Sequence, residues 1–119
     1  MARATRNCRS GRQQAVTMPA IRRVVRQIVD RFGPRKVVLF GSRAHGNASA
    51  DSDVDLLVVT RRPMGADGSL RIRRGIEYSF PLDLIVCDQR RLQKRVERGD
   101  FLLTSAVQSG KVLYEEPPP

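Results

Sequence analysis

The chain has 119 residues, 40% of them hydrophobic and 29% charged, which suits one soluble domain with a single core and excludes disorder throughout. Its apolar stretches are far shorter than the roughly 20 residues needed to cross a bilayer, so we expect no membrane association and a cytoplasmic location. The net charge of +10 suits a polyanionic substrate, an acidic partner or nucleic acid.

The ends of the chain are predicted to lie outside the folded domain. Residues 1–17 are rich in arginine, serine and glutamine without apolar periodicity, which predicts a disordered basic tail. Met18 opens the ordered pattern and is an alternative translation start. We expect one domain over 18–116, followed by an exposed proline tail at 117–119.

The domain opens with a helix and a strand. Apolar residues recur at three- and four-residue steps over 19–32, which predicts an amphipathic helix that ends at Gly33. Residues 36–40 form a β-branched apolar run, which predicts a buried strand. Ser42 is placed to cap a short helix over 42–46.

The rest of the domain alternates strands with helices. In chain order we predict a turn at 47–52, a strand at 53–60, a weak helical pattern at 69–78 interrupted by Gly75, a strand at 82–87, a helix to Arg98 capped by Asp88, an amphipathic segment at 100–108 and a strand at 112–114. This order predicts an α/β fold, with a small mixed β-sheet flanked by helices.

A glycine and a serine follow the first predicted strand. Gly41 lets the backbone approach a ligand closely, because it has no side chain. The Ser42 hydroxyl, together with the amides at a helix N-terminus, can hold phosphate oxygens. The neighbouring Arg43 is either a phosphate contact or a solvated side chain. These residues predict a cradle for an anion.

Three aspartates form the candidate metal site. Asp53 and Asp55 are two residues apart on a predicted strand, so both carboxylates project from one face. Asp83 lies inside the apolar strand that follows. A buried unpaired carboxylate would be costly there, so we expect Asp83 to have a metal ion or another cation as its partner. Magnesium prefers such oxygen ligands, with substrate phosphates completing its shell. Two metal ions could polarise the attacking and leaving oxygens together.

The segment from Gly41 to Gly46, continued by Ser52-Asp53-Val54-Asp55-Leu56-Leu57-Val58, resembles the signature of polymerase-beta-type nucleotidyltransferases, and among them the minimal nucleotidyltransferases. The similarity extends over about 18–116. It implies the polymerase-beta-like nucleotidyltransferase fold, two Mg²⁺ ions and ATP as substrate. It also implies site roles. Catalytic and metal-binding roles fall to Asp53, Asp55 and Asp83, with Asp83 also a candidate base, and nucleotide-binding roles fall to Gly41, Ser42 and Arg43.

Relatives of this size are often paired with a HEPN-domain toxin, which they silence by adenylylation. The resemblance therefore implies transfer of AMP from ATP to a hydroxyl of a partner HEPN toxin, an antitoxin role. His45 departs from the pattern, because many relatives have arginine there. That departure leaves open a non-catalytic binding module that neutralises its partner by occlusion.

Transfer of AMP to RNA or to a small molecule is the other alternative. The predicted helices carry basic runs, which are solvated faces or docking surfaces for an acidic protein or RNA. These runs comprise Arg71, Arg73, Arg74, Arg90, Arg91, Lys94, Arg95 and Arg98. Few aromatic residues accompany them, so binding to nucleic acid is not favoured.

Overall fold

The computed structural model of the chain describes residues 16–45 and 53–117. Its elements are α1 (Met18–Phe32), β1 (Lys36–Phe40), a 3₁₀ helix (Ser42–Ala44), β2 (Val54–Thr60), α2 (Gly68–Arg74), β3 (Leu82–Asp88), α3 (Gln89–Glu97), α4 (Phe101–Ser109) and β4 (Lys111–Glu115). The predicted turn at 47–52 and residues 1–15 of the predicted tail lie outside the described residues.

The four described strands form one mixed sheet in the order β3-β2-β1-β4. β1 runs antiparallel to both β2 and β4, whereas β2 and β3 are parallel. The carboxyl end of β1 therefore lies beside the amino ends of β2 and β3. The predicted fold class, a small mixed sheet flanked by helices, is confirmed.

Helices cover both faces of the sheet, and each face has its own apolar core. On one face α1 and α2 pack on alternate strand residues, with Ile28 and Ile72 fully buried. On the other face α3 and α4 contribute Leu92 and Leu103, which pack against Leu57 and its neighbours. Because the central strands are buried on both faces, their sequences are continuously apolar.

Helix ends follow the sequence signals in most places. α1 ends at Gly33, whose left-handed backbone (φ 57°) closes the helix by an amide hydrogen bond to Val29. Asp88 and Asp100 cap α3 and α4 by accepting hydrogen bonds from backbone amides. Thr17, which the sequence places in the tail, caps α1 in the same way.

One local prediction is wrong. Ser42 does not cap the short helix: it is the first residue of the 3₁₀ helix, and Gly41 occupies the cap position without a side-chain hydrogen bond. The helical pattern over 69–78 is interrupted at Gly75 as predicted, because α2 ends at Arg74 and Gly75 is its cap residue. Gly75 is also closely packed, since a Cβ there would lie 2.8 Å from the ring of Phe32 on α1.

Among the described helices, none is both long and apolar enough to cross a membrane.

The buried layer under α3 and α4 should contribute strongly to stability. Replacing Leu57, which is fully buried, by alanine leaves a cavity and should cost about 2–5 kcal/mol of unfolding free energy. Leu102 is 51% exposed, so Leu102→Ala is a matched control that should cost less than about 1 kcal/mol. Urea unfolding measures both, and equal losses would contradict the assignment of Leu57 to the core.

Candidate active site

The predicted site residues meet at one end of the sheet. Phe40, the last residue of β1, pairs with Asp55 on β2, so the turn beginning at Gly41 lies next to that carboxylate. On the other side, Asp55 is in register with Asp83 on the parallel strand β3. Neighbours in register on paired strands project from the same face, so the two carboxylates lie side by side. Asp53, two residues before Asp55, is exposed at the start of the strand.

The strand alternation identifies the face. Asp55 shares it with Leu57, and Asp83 shares it with Ile85, both of which belong to the core under α3 and α4. The apolar layer ends where the aspartates begin. The acidic residues therefore form a polar continuation of one core face at the open end of the sheet.

Gly41 is required by this geometry for two reasons. Its backbone is left-handed (φ 77°), a conformation that side chains disfavour. A Cβ at this position would also overlap Oδ2 of Asp55. The turn thus lies directly against the carboxylate, and only glycine leaves room for both.

Burial and charge repulsion both act on the carboxylate of Asp55, which lies between the other two acids in the site. Desolvation by burial raises the pKa of Asp55 above its ordinary value, and the negative charges of Asp83 and Asp53 raise that pKa further. The folded state therefore places both of the other acids close enough to repel ionised Asp55. A bound cation would relieve this repulsion, and carboxylate oxygens are the ligands that hard divalent ions prefer.

The acidic side chains of the site do not already form a closed metal-binding group. In the described part of the chain, no group of three His, Cys, Asp or Glu side chains is placed to hold a metal ion as it stands. The donor set still fits magnesium, which commonly takes one or two carboxylates and completes its shell with waters and substrate phosphates. Asp53, Asp55 and Asp83 are the residues that would supply those carboxylates.

The environment of Asp83 differs from the prediction in one respect. The sequence predicts a buried carboxylate, but its side chain is 64% exposed, because it alternates out of the apolar strand at the edge of the sheet. The expected cationic partner is present in Arg73 on α2, whose Nη2 lies 3.9 Å from Oδ1 of Asp83. Nothing in the sequence singles out Arg73, because it occurs in a run of basic residues.

The phosphate-binding candidates line the same end. Ser42 and Arg43 are half-buried in the 3₁₀ helix directly after Gly41, and His45, which follows that helix, is exposed. Within this turn the backbone amides of Ala44 and His45 donate hydrogen bonds to the carbonyls of Gly41 and Ser42. The segment that follows, 46–52, lies outside the described residues.

The family sequence model named nucleotidyltransferase domain matches residues 21–108, which are most of the chain. The chain belongs to the nucleotidyltransferase domain family. The matched range begins in α1 and ends in α4, so it contains the glycine turn and all three aspartates. Family membership supports nucleotidyl transfer as the class of reaction.

The solved structures similar to this nucleotidyltransferase domain include the crystal structure, at 1.40 Å, of a candidate nucleotidyltransferase from Sulfolobus solfataricus. The two chains are 22% identical, the similarity covers 83% of this chain and 80% of the other, and the TM-score is 0.59. At that identity the likeness supports the shared fold. No curated protein sequence matches the chain significantly.

The pKa of Asp55 should respond to its neighbour. Asp83→Asn removes one of the two repelling charges, so the raised pKa of Asp55 should fall toward its ordinary value. The sign is fixed by linkage: a raised carboxyl pKa means that ionised Asp55 destabilises the fold above that pKa, and protonation removes the penalty as pH falls. NMR titration of the Asp55 carboxyl carbon measures the shift.

Asp67→Asn is the control for that titration, because Asp67 is exposed and does not contribute to the pKa of Asp55. An unchanged pKa of Asp55 in Asp83→Asn would show that the two carboxylates do not interact.

Gly41→Ala should disturb the site beyond its cost in stability. Gly65 also has a positive φ (85°), but a Cβ there would meet only Asp67 Oδ1 at 3.7 Å, so Gly65→Ala is the control. Both variants should lose about 1–3 kcal/mol of unfolding free energy, because side chains disfavour a positive φ. Only Gly41→Ala should also displace the Asp55 carboxylate, seen as a shift of its carboxyl carbon resonance. An unmoved resonance would contradict the contact.

Proposed function

We propose that this nucleotidyltransferase domain transfers AMP from ATP to a hydroxyl acceptor with the help of bound magnesium. The observation that carries the proposal is the meeting of Asp55 and Asp83 on one face beside the Gly41 turn. Three mutually repelling carboxylates would not bind a triphosphate by themselves. With divalent cations between them, the same acids and the triphosphate attract one another.

Each part of the site has a role in this proposal. Gly41 and Ser42 hold phosphate oxygens through the close backbone approach at the turn, and Arg43 adds a positive charge. Asp53 and Asp55 hold magnesium, and Asp83 completes the set. The metal supplies charge neutralisation and polarises the phosphate oxygens when it is bound.

The chemical step is an in-line displacement at the α-phosphorus. The acceptor oxygen forms a bond to that phosphorus while the bond to the bridging oxygen of pyrophosphate breaks. The acceptor proton passes to Asp83, whose exposed side chain can be reached by an acceptor from outside. The products are the adenylylated acceptor and pyrophosphate.

The acceptor in this proposal is a hydroxyl on a partner protein. The described fold is a single sheet with its helices, and the acids lie at its open end, where a partner can approach. By resemblance to minimal nucleotidyltransferases, we infer that the partner is a HEPN-domain toxin and that modification silences it in the cytoplasm. Transfer to RNA or a small molecule, and inhibition by occlusion alone, are the competing functions.

Labelling with ATP tests the reaction and its acceptor together. The purified protein, Mg²⁺ and α-³²P-ATP are incubated with soluble protein or with total RNA of the source cell, in separate reactions. We expect a labelled protein band, and no label from γ-³²P-ATP, because pyrophosphate leaves. The variant Asp53→Asn/Asp55→Asn should lose labelling by about 100-fold or more, since it removes the charges that hold the metal.

The matched control is Asp30→Asn/Asp67→Asn, which changes the net charge equally at exposed positions away from the site. It should label as the wild type does. Labelled RNA instead of protein would move the assignment to RNA ends. Undiminished labelling by the Asp53/Asp55 variant would reject the metal-dependent mechanism.

A further inference from the structure

Arg73 is placed against the third carboxylate by the tertiary structure. Its guanidinium lies 3.9 Å from Asp83, and its side chain is only 29% exposed. Arg71 and Arg74, on the same helix, are exposed at the residue level, and Arg71 donates a hydrogen bond to the carbonyl of Met64. Arg73 is therefore the arginine of α2 that contacts the acidic cluster.

The end of α2 that carries Arg73 is fixed by α1. Arg31 donates a hydrogen bond to the carbonyl of Gly75, two residues after Arg73. Gln27 forms two hydrogen bonds with the backbone of Glu77, donating to its carbonyl at 2.9 Å and accepting from its amide at 2.8 Å. These contacts hold the chain on the carboxyl side of α2 and limit how far the Arg73 backbone can move away from β3.

The ion pair between Arg73 and Asp83 is suited to controlling the orientation of the Asp83 carboxylate. Asp83 lies on the edge strand β3, and its side chain is largely exposed, so little packing restrains its rotation. An ion pair through Oδ1 restrains the carboxylate without engaging both of its oxygens. Arginine also stays charged at all physiological pH values, so the restraint does not depend on titration of Arg73.

We propose that Arg73 is a positioning residue, which holds the Asp83 carboxylate in the orientation used for nucleotidyl transfer. This inference rests on the proposed function, in which Asp83 binds metal and accepts a proton. Arg73 contacts neither nucleotide nor acceptor in this role. Its positive charge opposes metal binding slightly, while its contact with Asp83 favours the chemical step.

These two effects have opposite signs, which makes a sharp test. In Arg73→Gln, binding of Mn²⁺ measured by electron paramagnetic resonance should become about two- to fivefold tighter, because a nearby cation is lost. The kcat for pyrophosphate release from ATP, with water as acceptor, should fall by about tenfold, because Asp83 is no longer oriented. The KM for ATP should change by less than about twofold.

Two further variants complete the experiment. Arg73→Lys keeps the charge but has no guanidinium fork, so it should retain wild-type Mn²⁺ affinity and recover part of the kcat. Arg74→Gln removes an exposed charge from the same helix and should match the wild type in both measurements. A purely structural role for Arg73 would instead weaken Mn²⁺ binding and kcat together.

Two results would overturn the inference with the proposed function intact: Arg73→Gln behaving like Arg74→Gln, or Arg73→Gln losing Mn²⁺ affinity along with kcat. A wild-type protein that neither binds Mn²⁺ nor releases pyrophosphate would reject the proposed function itself, and the inference with it. The two failures are distinguishable, because the wild-type protein binds Mn²⁺ and releases pyrophosphate in the first case and does neither in the second.

Discussion

The antiparallel pairing of β1 with β2 is the constraint on which the site depends. It brings the end of β1, and so Gly41, beside the start of β2, while the parallel pairing of β2 with β3 sets Asp55 next to Asp83. With β1 parallel to β2, the glycine turn and the aspartates would lie at opposite ends of the sheet. The site is thus a consequence of strand direction more than of any single contact.

The site opposes folding locally, and the two cores offset that cost. Burial and, after it, the like charges of Asp83 and Asp53 raise the pKa of Asp55, which means that its ionised form is disfavoured in the folded protein. The central strands, by contrast, are buried on both faces under four described helices. Such repulsion is common where a protein binds an oppositely charged ligand, because the ligand offsets the repulsion when it binds.

Contacts made by α1 restrain residues at the edge of the site. α1 holds the segment after α2 through Gln27 and Arg31, and α2 itself carries Arg73, which contacts the exposed carboxylate of Asp83. A helix far from the chemistry can therefore influence the orientation of a residue in the site. Long side chains on rigid elements are suited to this task, because their reach is several ångströms while their backbone stays in place.

The sequence by itself determined the bounds of most elements, the fold class and the candidate residues of the turn and the aspartates, because periodicity, caps and motifs are local signals. Only the tertiary structure decided that Asp83 is exposed and paired with Arg73, and that Gly41 leaves room for the Asp55 carboxylate. Each of these depends on which elements pack together. Strand register and helix packing join residues far apart in the chain, and no short stretch of sequence encodes them.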